Sequence, residues 1–176
     1  PSRTIAGLNS FSEKVLLIAG GYDKHIPYDD LGPVIPDGKY VIRYNHATYG
    51  SYMTSNTSSG WPWYTTFLLG TTDESAATHF TFTRQNDGTY TIQAPDGTYM
   101  DITGNNSGEM TAVANYLAIE MKNDGIWIRD FDDNVCVNAL GADFSGYTEK
   151  YYGGYTDGTP LELYAVTTTT EPEQPE

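Results

Sequence analysis

Apolar and polar residues alternate along several short stretches in the middle of the chain. Residues 40–44, 79–83, 89–93 and 126–129 have the period of two that is typical of a β-strand with one buried face. Asp-Gly pairs at 37–38, 87–88, 96–97, 124–125 and 157–158 lie between or beside these stretches. Such pairs supply the positive φ that tight hairpins require. No window longer than a turn or two has a helical pattern, so the sequence predicts an all-β structure.

One apolar unit recurs three times. Residues 37–42 match residues 87–92, and residues 124–128 follow the same pattern with one residue fewer. Apolar pairs of the form Phe-x-Phe or Leu-x-Ile precede the second and third units, and Leu161-x-Leu163 closes the last. A unit of about four short strands cannot bury its apolar face alone, so the copies must share one core.

Three such units close naturally into a pseudo-threefold barrel capped by hairpins, the β-trefoil, and closure removes exposed sheet edges. A two-sheet sandwich is the alternative, but it gives no reason for a threefold repeat. We therefore predict a β-trefoil of three four-stranded repeats over residues 37–166, preceded by a short helix-strand segment. Tyr40, Tyr90 and Trp127 are expected at equivalent positions in the barrel layer.

The repeated phrases at 87–92 and 96–100, with the closing phrase at 158–164, resemble bacterial ricin-type and fascin-like trefoil domains. Such domains are appended to secreted proteins, and the resemblance implies a non-catalytic module that binds carbohydrate or another cell-surface ligand. The Gln-x-Trp signature of ricin-type lectins is absent. Sugar binding by each repeat is therefore left open.

Residues 1–36 have a different composition. A short helix is expected near residues 2–8 and a buried strand at 15–19 that ends in the Gly20-Gly21 turn. Residues 1–8 and 17–24 resemble part of the ligase that adds D-glutamate to UDP-N-acetylmuramoyl-alanine, a Mur ligase. The resemblance implies that Lys24 approaches the acidic substrate. The phosphate-binding Gly-Lys-Ser/Thr loop of that family is absent, which argues against ligase activity.

The last ten residues, 167–176, contain only Thr, Glu, Pro and Gln. We expect them to form a disordered linker, because they have no apolar side chain to bury. Such spacers are typical of surface proteins, so the chain is expected to be part of a larger multidomain protein. A disordered end with no role is an equal alternative.

Charge and apolar content exclude several classes of partner. The chain of 176 residues has a net charge of −14, which disfavours nucleic acid and anionic lipid. The longest apolar run, at 15–19, is far shorter than the roughly 20 residues of a membrane span, so no membrane insertion is expected. Cys136 is the single cysteine and is expected in the core.

Residues suited to catalysis are scattered. His25, His46 and His79 lie in different regions, without the spacing of a metal site, and no Gly-x-Ser-x-Gly motif is present. The acidic stretch at 130–134 lacks the spaced Gly and final Glu of an EF-hand calcium loop. We predict no catalytic residue, no bound metal and no cofactor.

Aromatic residues in loops are the better indication of function. Exposed rings beside Asp and Asn suit sugars, because a ring packs on the C–H face of a pyranose while polar groups bind its hydroxyls. The predicted ligand-binding residues lie in two loops: Trp61, Trp63, Tyr64, Tyr151, Tyr152 and Asp157. The alternative is that Trp61 and Trp63 close the open end of the barrel as core residues.

These observations predict an extracellular or cell-surface module, bacterial in type, that is not an enzyme and whose partner is a glycan or cell-surface ligand. Two alternatives stay open. The trefoil can be a structural or protein-interaction spacer without a small ligand, or the chain can be an inactive fragment or fusion of a peptidoglycan-synthesis Mur ligase.

Overall fold

A computed structural model describes residues 35–59, 66–102, 107–122, 125–130, 135–148 and 159–166. The chain divides into two compact units, Pro1–Pro36 and Asp37–Glu176, and nearly all described residues belong to the second. The helix and strand predicted before residue 35, and the linker predicted at 167–176, lie outside the described residues. None of the helical structure in the described ranges has the length and apolarity needed to cross a membrane.

The described part of the second unit is built from twelve β-strands and one 3-10 turn, Glu74–Ala76. The strands are β1 (Gly38–Tyr44), β2 (Ser51–Ser58), β3 (Phe67–Thr71), β4 (Phe80–Arg84), β5 (Tyr90–Gln93), β6 (Tyr99–Asp101), β7 (Glu109–Thr111), β8 (Ala118–Lys122), β9 (Gly125–Asp130), β10 (Val135–Leu140), β11 (Asp143–Thr148) and β12 (Glu162–Ala165). All four stretches predicted from alternation lie in or overlap these strands. The structure is all-β, as predicted.

Six of the strands close into a barrel. β1 pairs with β4, β4 with β5, β8 with β9, and β12 with β1, all antiparallel. Two short antiparallel bridges complete the ring, one where Leu117 precedes β8 and one where Leu161 precedes β12. The remaining strands form three hairpins, β2–β3, β6–β7 and β10–β11. The barrel therefore has no open edge along which another sheet could pair.

The pairing register repeats three times around the barrel. The pairs within each repeat are Tyr40–Phe80, Tyr90–Leu117 and Ile126–Leu161. The pairs that join one repeat to the next are Phe82–Ile92, Ile119–Ile128 and Leu163–Ile42. Each of the three repeats contributes four strands in the same order, so the predicted β-trefoil is confirmed.

One predicted equivalence is wrong by a residue. Trp127 was expected to correspond to Tyr40 and Tyr90, but the register places Ile126 opposite Leu161 at that position. The third unit has one residue fewer between its Asp-Gly pair and its inward isoleucine, so the pairing shifts by one. Trp127 is nevertheless 5% exposed and belongs to the buried part of the domain.

Two threefold sets of apolar side chains fill the barrel. Every one of these six side chains is fully buried. The first set, from the first strand of each repeat, is Ile42, Ile92 and Ile128; the second, next to or in the fourth strand, is Phe80, Leu117 and Leu161. Equivalent positions thus hold the most completely buried residues, which is what three copies sharing one core require.

The hairpins approach one another closely at small residues. The amide of Gly108 donates to the carbonyl of Thr66 at 3.0 Å, and the amide of Gly146 donates to that of Ser107 at 2.9 Å. A Cβ added to Gly146 would lie 2.5 Å from the Ser107 carbonyl oxygen. Glycine is therefore required where these strands meet, because any side chain would force the two backbones apart.

The Asp-Gly turns are only partly as expected. Gly88 and Gly97 have φ of +93° and +90°, which confirms the prediction for the two turns in the second repeat. Gly38 is not among the glycines with positive φ and instead begins β1, so the pair at 37–38 is not a hairpin turn. Cys136 is 1% exposed in β10, as predicted for a core residue.

Candidate functional site

The residues predicted to bind a ligand all lie outside the described part of the chain. They are Trp61, Trp63, Tyr64, Tyr151, Tyr152 and Asp157. Their role in binding stays a prediction. Among the described residues, the threefold repeat allows equivalent positions to be compared.

A polar residue occupies the same place in each repeat, two positions before the inward side chain that starts the fourth strand. These residues are Thr78, Asn115 and Thr159. The Thr78 hydroxyl accepts a hydrogen bond from the Ser55 amide, and the Thr159 hydroxyl accepts one from the Ala139 amide, both at 2.8 Å. In the second repeat, Asn115 instead donates its side-chain Nδ2 to Asp101 Oδ1 at 2.8 Å. The hydrogen-bond partner of this residue is thus a carboxylate in the second repeat and a backbone amide in the first and third.

The residue at the position of Asp101 on the second strand also differs between repeats. Thr54 is 5% exposed and donates its hydroxyl to the Leu69 carbonyl at 2.8 Å. Asn138 is 6% exposed and donates to the Cys136 carbonyl at 3.2 Å. Asp101, in contrast, is only partly buried. The first and third repeats therefore use this position for structure, while the second keeps a charged acceptor within reach of solvent.

The amide of Asn115 is held in one orientation. Its Nδ2 donates to Asp130 Oδ2 at 3.0 Å as well as to Asp101, and its Oδ1 accepts from the Tyr116 amide at 2.8 Å. The bonded oxygens of Asp101 and Asp130 therefore lie within about 6 Å of each other, twice an ordinary hydrogen-bond length. Asp130 itself is buried. Asn115 therefore joins two carboxylates, one partly exposed and one buried.

Two further groups lie next to this pair. Glu109 on β7 is paired directly with Asp101 on β6. Tyr116 follows Asn115 in the chain, and its side chain is 55% exposed. We call Asp101, Glu109, Asn115 and Tyr116 the Asp101 site. It combines carboxylate acceptors with an exposed ring, which is the combination expected of a sugar-binding surface.

A second group of aromatic residues lies in the loop between β1 and β2. His46 stacks on Tyr44 and on Tyr49, with ring centroids 5.4 and 5.5 Å apart, and Tyr49 is 53% exposed. The Nδ1 of His46 accepts hydrogen bonds from the amides of Thr48 and Tyr49, each at 3.1 Å. This ring group is exposed, and Asn45 in the same loop donates its Nδ2 to the carboxylate oxygen Glu162 Oε1 at 2.9 Å.

The positions that form the Asp101 site can be located in the sequence from the repeat. Asp101 directly follows the second copy of the Gly-x-Tyr-Met phrase, and Asn115 stands two residues before Leu117. Comparison of these positions among the three units shows that the second alone combines a carboxylate with an amide. Within the described ranges, no three His, Cys, Asp or Glu side chains converge as a metal site would require.

Comparison with solved structures identifies a protein of the same fold. The Rhizoctonia solani agglutinin superposes with a TM-score of 0.53 and 15% sequence identity, over 76% of this chain and 99% of that protein. At this low sequence identity, the structural similarity shows that the two proteins share a fold, and nothing more. Together with the threefold register it establishes a β-trefoil-like domain with an agglutinin as structural neighbour. No family model matches the sequence.

Comparison with curated proteins identifies a different relationship for a short segment. Over 37 residues the chain is 78% identical to the UDP-N-acetylmuramoylalanine–D-glutamate ligase of Acetivibrio thermocellus and 62% identical to that of Ruminiclostridium cellulolyticum. The Clostridium botulinum enzyme is 71% identical over 31 residues. The chain spans about 8% of the length of these relatives. The predicted resemblance to a Mur ligase is confirmed and concerns only this short segment.

Proposed function

We propose that the trefoil is a non-catalytic module that binds carbohydrate on or outside the cell, and that the Asp101 site contacts the sugar. The observation that carries the proposal is the difference between repeats at one equivalent position. Thr54 and Asn138 are buried and bonded to backbone, whereas Asp101 is a partly exposed carboxylate fixed by Asn115. A charged group retained at the surface where its counterparts are structural indicates a role in binding.

The chemistry of the site favours a polyhydroxyl ligand. Both hydrogens of the Asn115 amide are directed to carboxylates, so the site mainly offers acceptors. Sugar hydroxyls donate to such acceptors, and hydrogen bonds to a charged group are about twice as strong as neutral ones. The exposed ring of Tyr116 adds an apolar surface of the type that packs against a pyranose.

The fold supports the same proposal. The structural neighbour is by its name an agglutinin. The ligase activity of the proteins that match the short segment is not proposed for this chain, because the sequence contains no Gly-Lys-Ser/Thr phosphate loop. The loops that contain Trp61 and Tyr152 are proposed as additional contacts.

The proposal is tested on an array of neutral glycans, followed by calorimetry of the best-bound glycan. Asp101→Ala is expected to weaken binding about tenfold or more, because the hydrogen bond of a charged group is worth about 1.5–3 kcal/mol. Asp101→Asn keeps the size and one acceptor, so a smaller loss is expected. Asp87→Asn is the matched control, since it removes one exposed carboxylate at a turn of the same repeat, away from β6.

Two results would reject the proposal. One is that no glycan on a broad array binds the wild-type chain, which would favour the alternative of a structural or protein-interaction spacer. The other is that Asp101→Ala and Asp87→Asn bind equally well, which would place the sugar elsewhere on the domain. Circular dichroism of each variant separates loss of binding from loss of folding.

A further inference from the structure

A polar cleft lies between the first and second repeats, apart from the Asp101 site. Its floor is a row of side chains across three neighbouring strands. Lys39 on β1 is paired with Thr81 on β4, and Thr81 is paired with Gln93 on β5. Phe80 and Phe82, on either side of Thr81, are fully buried, so by strand alternation this row faces outward. With strands about 4.8 Å apart, the row is about 10 Å long.

Two loops form the walls of the cleft. Ser75, Thr78 and His79 lie on the segment before β4, and residues 94–97 form the turn after β5. The cleft is open to solvent on one side, and its volume is about 630 Å³. Clefts of roughly 300–1,000 Å³ accommodate small ligands, so one or two sugar rings can be held here. The lining residues include several hydroxyls and no Phe, Tyr or Trp.

Lys39 places a positive charge in the cleft. Among the described cations, Arg43 lies 3.6 Å from Glu162 and Arg129 lies 3.7 Å from Glu120. Lys39 is exposed and forms no ion pair with any carboxylate in the described part of the chain. An exposed lysine at a cleft, without a carboxylate partner among the described residues, is suited to an anionic group of a ligand.

The opposite wall has the reverse polarity. Asp96 Oδ1 accepts from the amide and from the hydroxyl of Thr98, at 2.9 and 2.7 Å, and these bonds lower the pKa of Asp96. Asp96 is therefore ionised at neutral pH and accepts hydrogen bonds from hydroxyls. Gln93 Nε2 donates to the Gly97 carbonyl at 3.0 Å, which leaves Gln93 Oε1 as a further acceptor. A ligand held here needs an anionic end and a hydroxyl-rich end.

We propose that this cleft binds a carboxylate-bearing sugar of the uronic acid class. The carboxylate of the sugar lies at Lys39, and its hydroxyls donate to Gln93 and Asp96. The inference rests on the proposed function, since it assumes that the module binds carbohydrate, but it assigns a second site with a different specificity. The Asp101 site, built from acceptors, disfavours an anionic sugar for the same electrostatic reason.

The experiment uses two matched probes, trigalacturonate and its fully methyl-esterified form, in which three ester methyl groups replace the three negative charges. Calorimetry on the wild-type chain at low salt is expected to show binding of trigalacturonate and at least tenfold weaker binding of the ester. Lys39→Met should weaken trigalacturonate binding about tenfold and leave the ester unchanged. Lys39→Arg should restore most of the affinity, because it retains the charge. Arg84→Met is the control for loss of one positive charge elsewhere.

The outcomes separate this inference from the proposed function. If Asp101→Ala loses neutral glycans but retains trigalacturonate, the two sites are independent and both proposals stand. If wild type binds neutral glycans but not trigalacturonate at millimolar concentration, the acidic-sugar site is rejected and the proposed function stands. If both probes bind equally, or Lys39→Met and Arg84→Met behave alike, Lys39 does not recognise the carboxylate and the inference is overturned.

Discussion

The threefold core makes a quantitative prediction about stability. Ile42, Ile92 and Ile128 occupy equivalent register positions and are each 0% exposed. Shortening each of them to valine removes one fully buried methylene, which is worth about 0.8 kcal/mol in transfer energy and about 0.5–1.5 kcal/mol with the cavity included. If the three positions are equivalent, the single variants should lose similar stability, about 1 kcal/mol each.

Urea unfolding followed by circular dichroism measures these losses. A loss of about 1 kcal/mol lowers the melting temperature of a domain of this size by roughly 2–4 °C. Side chains that pack together are expected to be non-additive, so the triple variant should differ from the sum of the singles by about 0.5 kcal/mol or more. The control is Val113→Ala, which removes two methyl groups from a side chain that is 77% exposed and should change stability by less than about 0.5 kcal/mol.

The reasoning is refuted if one of the three isoleucines behaves like Val113. A near-zero loss at Ile128, for example, would mean that the third repeat does not share the core with the other two. Strictly additive losses would mean that the three side chains do not pack together within the barrel.

Two further predictions concern the hairpins and turns. Gly70→Ala should abolish soluble expression or cost more than about 3 kcal/mol, because its Cβ would lie 1.7 Å from the Ala142 carbonyl oxygen; a stable, soluble variant would contradict this close approach. The Thr98 hydroxyl is the largest cause of the lowered pKa of Asp96, so Thr98→Val should raise that pKa, as seen by NMR titration, while the titration of Asp87 stays unchanged. A carboxyl group whose pKa is lowered by folding stabilises the folded state at pH values above its pKa in the unfolded chain. That stabilisation is lost as the pH falls through the pKa of the folded state. Thr98→Val should therefore make the stability of the domain depend less on pH in the acid range.

The barrel strands were predictable because their burial is one-sided. Residues 89–93 and 126–129 show the alternation directly, and strands β5 and β9 form there. The hairpin strands are less regular in sequence. Ser51–Ser58 is mostly polar and Glu109–Thr111 has only three residues, so their strand structure depends on pairing with a neighbour more than on a local pattern. The number of strands could be predicted from the repeat, whereas the first and last residues of each strand could be assigned only from the structure.

The Asp101 site could not be predicted from local sequence. Asp101 is an ordinary polar residue after Met100, and Asn115 lies fourteen positions later in a stretch without a recognisable motif. The register of β6 with β7 and the return of the chain to β8 bring them within 2.8 Å. The error at Trp127 has the same origin, because only pairing with Leu161 decides which residue of the third unit is equivalent to Tyr90.

The closure of the barrel has a consequence for how such a domain can be joined to other proteins. The last strand pairs with the first, and the amide of Val166 donates to the carbonyl of Lys39 at 2.8 Å. The entry and exit points of the polypeptide are therefore a single strand spacing apart. A domain with adjoining ends can be spliced into one surface loop of a host protein with little distortion of that host, and its original ends can be linked while new ones are opened at an exposed turn such as 86–88.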